Sequence, residues 1–266
     1  MYLSRLFINV GKNPDRPRPG RLWLRNLYHV HQRLCMAFPS KEQKKNDPHF
    51  LAPYNPDCFP EQRDKADQKK SEENKEVLKQ VHAPRDEKAG FLFRIDPQPG
   101  GSPVILVQSA IEPDWDYAFQ NAQYLLDAPP QVNSFEPLFR KNQQLKFRLL
   151  ANPVKRASAK SVDSHEKPLD IKWKGKRVPV PREKLKDWLA RKTEGAGCHI
   201  EEITLIQTGY VYAGKSGEKE RNRFFSVRYE GVLKVIDDTL FKKIISKGIG
   251  PAKAFGFGLL TVEEIE

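Results

Sequence analysis

The chain has little cysteine and no long apolar run. Its three cysteines, Cys35, Cys58 and Cys198, are an odd number at wide spacing among 266 residues, which argues against a disulfide framework or a zinc site. We therefore expect a reducing, cytoplasmic location. Because eighteen consecutive apolar residues occur nowhere in the sequence, we also expect no membrane span.

Several motifs of nucleotide-binding and nucleic-acid-binding proteins are missing as well. The absence of GxxxxGK[ST] excludes a P-loop. No RNP1 motif is present, so we do not expect bases to stack on sheet aromatics in the manner of common RNA-recognition domains. Asp114 and Asp116 stand alone rather than in an acidic cluster. We therefore predict no metal site and no other cofactor.

Positive charge is in excess and is unevenly distributed. The net charge is +12, and residues 140–192 alone carry 17 basic and 5 acidic side chains. A local excess of this size is a candidate footprint for nucleic acid. The alternative is a basic surface that serves only solubility.

Strand and helix patterns follow the same order in both halves of the chain. The first half shows strands at 2–9, 90–95, 104–109 and 123–126, a helix at 22–38 and a short helix after Pro113. The second half shows strands at 144–150, 200–212, 224–235 and 258–263, and helices at 182–193 and 237–247. Each half reads βαββαβ, the ferredoxin-like split βαβ arrangement that RNA-recognition domains also use.

This pattern predicts an α+β protein with two tandem ferredoxin-like (RRM-like) domains, over residues 1–135 and 140–266. The polar, proline-rich segment 41–88 interrupts the first domain. We interpret it as a partly flexible insertion with a short helix at about 71–81.

A glycine-rich segment near the end of the chain surrounds one lysine. Residues 248–260 read GIGPAKAFGFGLL, in which Gly248, Gly250, Gly256 and Gly258 flank Lys253. Glycine is needed where the backbone takes positive φ or is approached closely by another backbone. On a basic chain, such a loop suggests contact with a phosphodiester backbone. Loops of this kind also bind nucleotides or simply form tight turns.

The predicted first helix carries the candidate catalytic residues. Tyr28 and His31 are three residues apart and share a helix face, whereas His29 and His31 do not face each other, which argues against a two-histidine metal site. One interpretation is that Tyr28 and His31 border the core with satisfied hydrogen bonds. The other is RNA cleavage, for which histidine suits both proton transfers and tyrosine serves as a hydrogen-bond donor.

Taken in order, the sequence segments resemble a known family. The segments are YLSRLFIN, LYHVHQRLCMAFP, FLFRID, VILVQS, LKFRLLANPVKR, KRVPV, DWLARK, YEGVL and GIGPAKAFGFGLL. They follow one another as in the CasE (Cse3) family, the CRISPR repeat-RNA endonucleases of type I-E Cascade. The resemblance covers the chain except for about 41–88 and the proline loop near 14–20.

The resemblance implies a fold, an activity and partners. It implies tandem ferredoxin-like domains that bind the stem-loop of the CRISPR repeat and cleave it, without a metal, at the 3′ base of the stem. The products would carry a 5′-OH and a 2′,3′-cyclic phosphate. The protein would be a monomer when free, would stay on the product RNA and would join the other Cascade subunits. A non-catalytic RNA-binding assembly subunit of the same fold is the alternative.

The family's catalytic histidine falls on His31 and its active-site tyrosine on Tyr28. Some relatives carry a lysine five residues after the histidine, where this chain has Met36. Arg33 and Lys41 are nearby substitutes without family support.

The resemblance also implies RNA contacts. Lys253 and the four glycines of its loop would lie near the scissile strand. The segments 152–160 and 172–177 would contact the duplex. The basic residues expected to do so are Lys155, Arg156, Lys160, Lys172, Lys174, Lys176 and Arg177.

Overall fold

The computed structural model describes residues 1–11, 19–38, 90–157, 175–214 and 222–265. The predicted insertion 41–88, with its helix at 71–81, lies wholly outside these residues. So do Lys41 and three of the predicted RNA contacts, Lys160, Lys172 and Lys174.

The chain divides into two compact units. The first contains Met1–Phe91, Ile95–Phe135 and Tyr212–Asn222, and the second contains Leu92–Arg94, Glu136–Val211 and Arg223–Glu266. The domain limits of 1–135 and 140–266 stay a prediction. The short segments show that the chain passes more than once from one unit to the other.

The first unit is built on a four-stranded antiparallel sheet. Its elements are β1 (Tyr2–Phe7), α1 (Pro19–Leu24), α2 (Leu27–Cys35), β2 (Phe91–Asp96), β3 (Val104–Ser109), α3 (Trp115–Phe119) and β4 (Gln131–Ser134). The strand order is β2-β3-β1-β4. The first and third strands are therefore central, as in a ferredoxin-like fold. Alternate residues of β1, Ser4 and Leu6, are fully buried, as a one-sided sheet requires.

The second unit repeats this topology. Its elements are β5 (Gln144–Ala151), β6 (Val154–Arg156), β7 (Arg177–Pro179), α4 (Leu185–Thr193), β8 (Cys198–Ala213), β9 (Asn222–Val235), α5 (Asp238–Lys247) and β10 (Leu260–Glu264). The last two residues of β8 and the first residue of β9 are counted with the first unit. The sheet order is β10-β5-β9-β8. Alternate residues of β5, including Leu145, Phe147 and Leu149, are buried, and burial of such side chains contributes about 1.5–3 kcal/mol each. The prediction of two tandem ferredoxin-like domains is confirmed.

The predicted helix at 22–38 is wrong in one respect, since two helices occupy this stretch. Asn26 has an extended backbone, with φ −124° and ψ 97°, and its side chain accepts a hydrogen bond from the N–H of Tyr28. Asn26 is therefore the N-cap of a new helix rather than an interior residue, a role that asparagine favours because its side chain competes for backbone groups.

The predicted strand at 123–126 is also wrong. Gln123–Leu125 forms a 3₁₀ helix, held by the hydrogen bond from Leu125 N–H to the carbonyl of Ala122. The fourth strand is instead β4, which pairs with β1. All four residues of β4 are exposed, so it lacks the apolar alternation on which the prediction depended.

A two-stranded ribbon was not predicted at all. Strands β6 and β7 pair antiparallel with each other, with Arg156 opposite Arg177. Each strand has only three residues, which is too short for a periodic pattern to be recognised.

Candidate functional site

The two candidate catalytic side chains lie on α2 and are held at its N-terminal end. Tyr28 is in the first turn and His31 follows one turn later, so both project from one side of the helix. Both residues are half-buried. The Asn26 cap satisfies the N–H of Tyr28 at 3.2 Å and so fixes where this helix begins.

His31 is in contact with an aromatic ring and a thiol. Its imidazole stacks on Phe91, with ring centroids 5.5 Å apart and planes 28° apart, and Phe91 in turn stacks on Phe38. His31 Nε2 lies 3.6 Å from the Sγ of buried Cys35, within hydrogen-bond reach for sulfur. These contacts restrict the imidazole, which a general acid or base requires.

Neither Arg33 nor Met36 takes the place of the lysine that some relatives carry five residues after the histidine. Arg33 Nη1 donates to the carbonyl of Ala118 at 2.9 Å and to Asn121 Oδ1 at 3.0 Å. Burial lowers the pKa of Arg33, and the charge of Tyr124 acts in the opposite direction. Arg33 therefore holds α2 to the α3 region, and we do not assign it to a phosphate. Met36 ends α2 as its C-cap.

The β6–β7 ribbon brings together basic residues from two distant parts of the sequence. Arg156 and Arg177 are directly opposite each other and both are exposed. Lys155 is half-buried and pairs with Val178, and Lys176 is exposed beside Arg177. Like charges that face each other across strands are destabilising. A polyanion bound between them would remove this repulsion.

The glycine-rich loop is a closed backbone structure. Gly248, Gly250, Gly256 and Gly258 all have positive φ. Ile249 N–H donates to the carbonyl of Gly258 at 2.9 Å, and Gly258 N–H donates to the carbonyl of Leu150 at 2.7 Å. The loop is therefore tied to its own start and to β5.

Two of these glycines are required by contacts as well as by φ. A Cβ on Gly248 would lie 2.7 Å from the carbonyl oxygen of Gly258, and one on Gly258 would lie 2.8 Å from the carbonyl oxygen of Ile249. A third residue of the loop, Ala252, has φ +62° although it has a Cβ. Strain of this kind is typical of ligand-binding loops.

Lys253 begins the 3₁₀ turn Lys253–Phe255 in this loop and is half-buried. Burial lowers the pKa of its ammonium group, and the charge of Lys247 lowers it further. Both effects disfavour the positive charge in the isolated protein. An anion at this position would stabilise the charged form.

Sequence reasoning missed Asn26, Cys35 and Phe91. Cys35 follows His31 by four residues, so the helix spacing could have identified that contact. The stack of Phe91 on His31 joins residues that are far apart in sequence, and no local pattern predicts it.

Within the part of the chain that the structure describes, no group of three or more His, Cys, Asp or Glu side chains could hold a metal ion. Among the same residues, no helix combines the length and apolar character that crossing a membrane requires.

The protein consists of two ferredoxin-like units. One carries the helix with Tyr28 and His31, and the other carries the basic ribbon and the glycine-rich loop. A family model described as CRISPR associated protein matches residues 54–264. The chain belongs to this family.

Individual relatives match over most or all of their length. CRISPR-associated endoribonuclease Cse3 of Thermus thermophilus is 34% identical over 186 residues, which are 65% of this chain and 79% of that protein. The Escherichia coli protein named CRISPR system Cascade subunit CasE is 29% identical over 267 residues, 98% of each chain. The solved structure of Thermus thermophilus Cse3, bound to an RNA representing a pre-cleavage complex, has a TM-score of 0.63 at 25% identity and covers 98% of each chain.

Proposed function

We propose that this protein is an endoribonuclease that binds the stem-loop of the CRISPR repeat and cleaves precursor CRISPR RNA at the base of the stem. The observation that carries the proposal is the placement of Tyr28 and His31 on one side of a capped helix. It is supported by the likeness to CRISPR-associated endoribonuclease Cse3 of Thermus thermophilus, whose solved structure, bound to an RNA representing a pre-cleavage complex, covers 98% of each chain.

The proposed reaction uses the nucleophile that RNA already carries. The 2′-oxygen attacks the adjacent phosphorus, the bond from phosphorus to the 5′-oxygen breaks, and the leaving oxygen takes up a proton. The products are a 2′,3′-cyclic phosphate and a 5′-OH. His31 moves one of the two protons, because its ordinary pKa suits transfer in either direction near neutral pH. This route does not require a divalent ion.

Tyr28 acts in this proposal as a hydrogen-bond donor rather than as a base. From the same side of α2 as His31, it orients the 2′-OH or a phosphate oxygen.

RNA binding is proposed for the domain at 140–266 and catalysis for the helix of the domain at 1–135. The contacts assigned to RNA within the described residues are Lys155, Arg156, Lys176, Arg177, Lys253 and the glycines of the loop. A-form RNA is recognised mostly through phosphates, 2′-OH groups and shape, because its major groove is too narrow for side chains to read. A strip of exposed cations suits that mode of recognition.

We further propose that the protein stays on its product and joins other Cascade subunits in the cytoplasm. Support comes from the name of the Escherichia coli relative, which matches this chain from end to end. In this proposal, the time for which the product RNA stays bound depends on how tightly the cations of the ribbon hold its stem.

The test is cleavage of the cognate repeat RNA in EDTA. We expect wild-type protein to cut in EDTA, and His31→Ala or a 2′-deoxy residue at the cut site to abolish cutting while binding persists. Full-rate cleavage by His31→Ala, or loss of activity in EDTA, would show that the catalytic assignment is wrong. Binding without any cleavage by wild type would favour the non-catalytic assembly subunit.

A further inference from the structure

Asn26, the N-cap of α2, makes hydrogen bonds with Gly214 in addition to the one that caps the helix. Asn26 Nδ2 donates to the carbonyl of Gly214 at 2.9 Å, and the N–H of Gly214 donates back to Asn26 Oδ1 at 3.2 Å. The side-chain amide therefore pairs with a backbone residue 188 positions later in the chain. All of these groups belong to the first unit.

The same amide also reaches the helix. Its Oδ1 accepts the N–H of Tyr28, and its Nδ2 lies 3.3 Å from His29 Nε2. Asn26 is buried, and burial strengthens these hydrogen bonds and makes the loss of any one of them costly. One side chain thus joins the first turn of α2 to Gly214, the residue that follows β8 and belongs to the same unit as α2.

No common substitute for Asn26 can both cap the helix and pair with Gly214. Serine caps a helix about as well as asparagine, but it has no second polar atom for the Gly214 pair. Aspartate has the size of asparagine and can cap the helix, but it lacks the N–H donor and sets a carboxylate oxygen against the carbonyl of Gly214.

We propose that Asn26 is a positioning residue for the cleavage reaction, because it fixes the start of α2, and with it Tyr28 and His31, to Gly214. The inference rests on the proposed function. Asn26 touches neither substrate nor reacting atoms in this proposal, and it acts only through the helix that it holds. A misplacement of about 1 Å at a reacting group can reduce a rate by roughly 100-fold.

The experiment compares Asn26→Asp and Asn26→Ser with wild type in single-turnover cleavage of the repeat RNA, with enzyme in saturating excess. Under these conditions the first-order rate constant does not depend on the fraction of protein that is folded, whereas misplacement of the helix lowers it. We expect the rate constant to fall about 10- to 100-fold in both variants, with the Kd for the RNA within about twofold of wild type.

A matched control is available in the same unit. Asp114 is the N-cap of α3, where it accepts the N–H of Tyr117 at 2.8 Å, and Asp114→Asn makes the reverse exchange of side chains. We expect this variant to cleave at the wild-type rate. If either Asn26 variant also cleaves at the wild-type rate, or if Asp114→Asn slows cleavage equally, the positioning role is wrong.

His31→Ala distinguishes this outcome from failure of the proposed function. An inactive His31→Ala beside fully active Asn26 variants would overturn only the positioning role. A fully active His31→Ala would instead overturn the catalytic assignment on which the role depends.

Discussion

The opposed arginines of the β6–β7 ribbon lead to a prediction about both RNA affinity and folding stability, which should change in opposite directions. Arg156 and Arg177 face each other with no carboxylate between them in the strand register. Replacing both with glutamine removes two positive charges but keeps polar side chains of similar reach. We expect this double variant to bind the repeat RNA more weakly and yet to fold more stably than wild type.

The magnitudes follow from the two contacts. Each phosphate contact with a duplex adds roughly 0.9 to the slope of log K against log salt, so two contacts add about 1.8. Both proteins should lose affinity between about 50 and 200 mM salt. The fold-loss of wild type should be about twelve times that of the double variant. Removal of a directly opposed like-charge pair should raise the free energy of unfolding by about 0.2–1 kcal/mol.

The assay is fluorescence anisotropy with a labelled repeat hairpin over this salt range, together with urea unfolding. The control is the double variant Lys242→Gln/Lys243→Gln, which removes the same charge from exposed positions on α5. An unchanged salt slope in the arginine variant would refute contact between the ribbon and RNA phosphates. An equal change in the lysine variant would assign the effect to net charge rather than to the ribbon.

Three further predictions concern the second unit. Gly258→Ala should lower the free energy of unfolding by more than about 1 kcal/mol because of both positive φ and the clash at the loop. Gly195→Ala, which has the same φ problem in open space, should cost less, and equal losses in chemical denaturation would contradict the role of the clash. Ala252→Gly should stabilise the protein by up to about 1 kcal/mol, because φ +62° is strained only for a residue with a Cβ; a lower melting temperature would refute this. Burial acts to raise the pKa of Glu230, but hydrogen bonds and charges from Arg228 and Arg148 hold it below its ordinary value. The stability from these pairs should therefore be present above about pH 4.3 and be lost as pH falls through the lower, folded-state pKa. Glu230→Gln should remove that part of the pH dependence, and an identical pH profile of unfolding would exclude it.

The regular elements with buried faces could be predicted from the sequence. Strand β5 alternates buried and exposed residues over its whole length, and Asp237 caps α5 as its residue type suggests, by accepting the N–H of Leu240. Such patterns depend on neighbours within one turn or one strand. They therefore survive when the rest of the fold is unknown.

The errors occurred where a distant contact or exposure decides the local structure. Leu22–Phe38 has a continuous helical pattern, but the amide of Asn26 has partners at Tyr28 and at Gly214 that favour a break. Strand β4 is exposed, and it forms because its backbone pairs with the edge of β1. Sequence proximity reveals neither condition.

The candidate site divides in the same way. The common side of Tyr28 and His31 follows from a spacing of three on a helix. The opposition of Arg156 and Arg177 depends on the register of two strands that are about twenty residues apart. Charge composition made residues 140–192 a candidate footprint for nucleic acid, but it could not indicate that these two arginines face each other.

The pairing of Asn26 with Gly214 has a consequence for biosynthesis. During translation α2, with Tyr28 and His31, leaves the ribosome early, but the residue that anchors its cap is made 188 positions later. The anchor cannot form until most of the chain exists, and a fragment that stops at residue 135 never acquires it. A truncated or nascent protein should therefore carry both the histidine and the tyrosine without cutting RNA efficiently, so that nuclease activity arises only with a chain that has been made at least through β8.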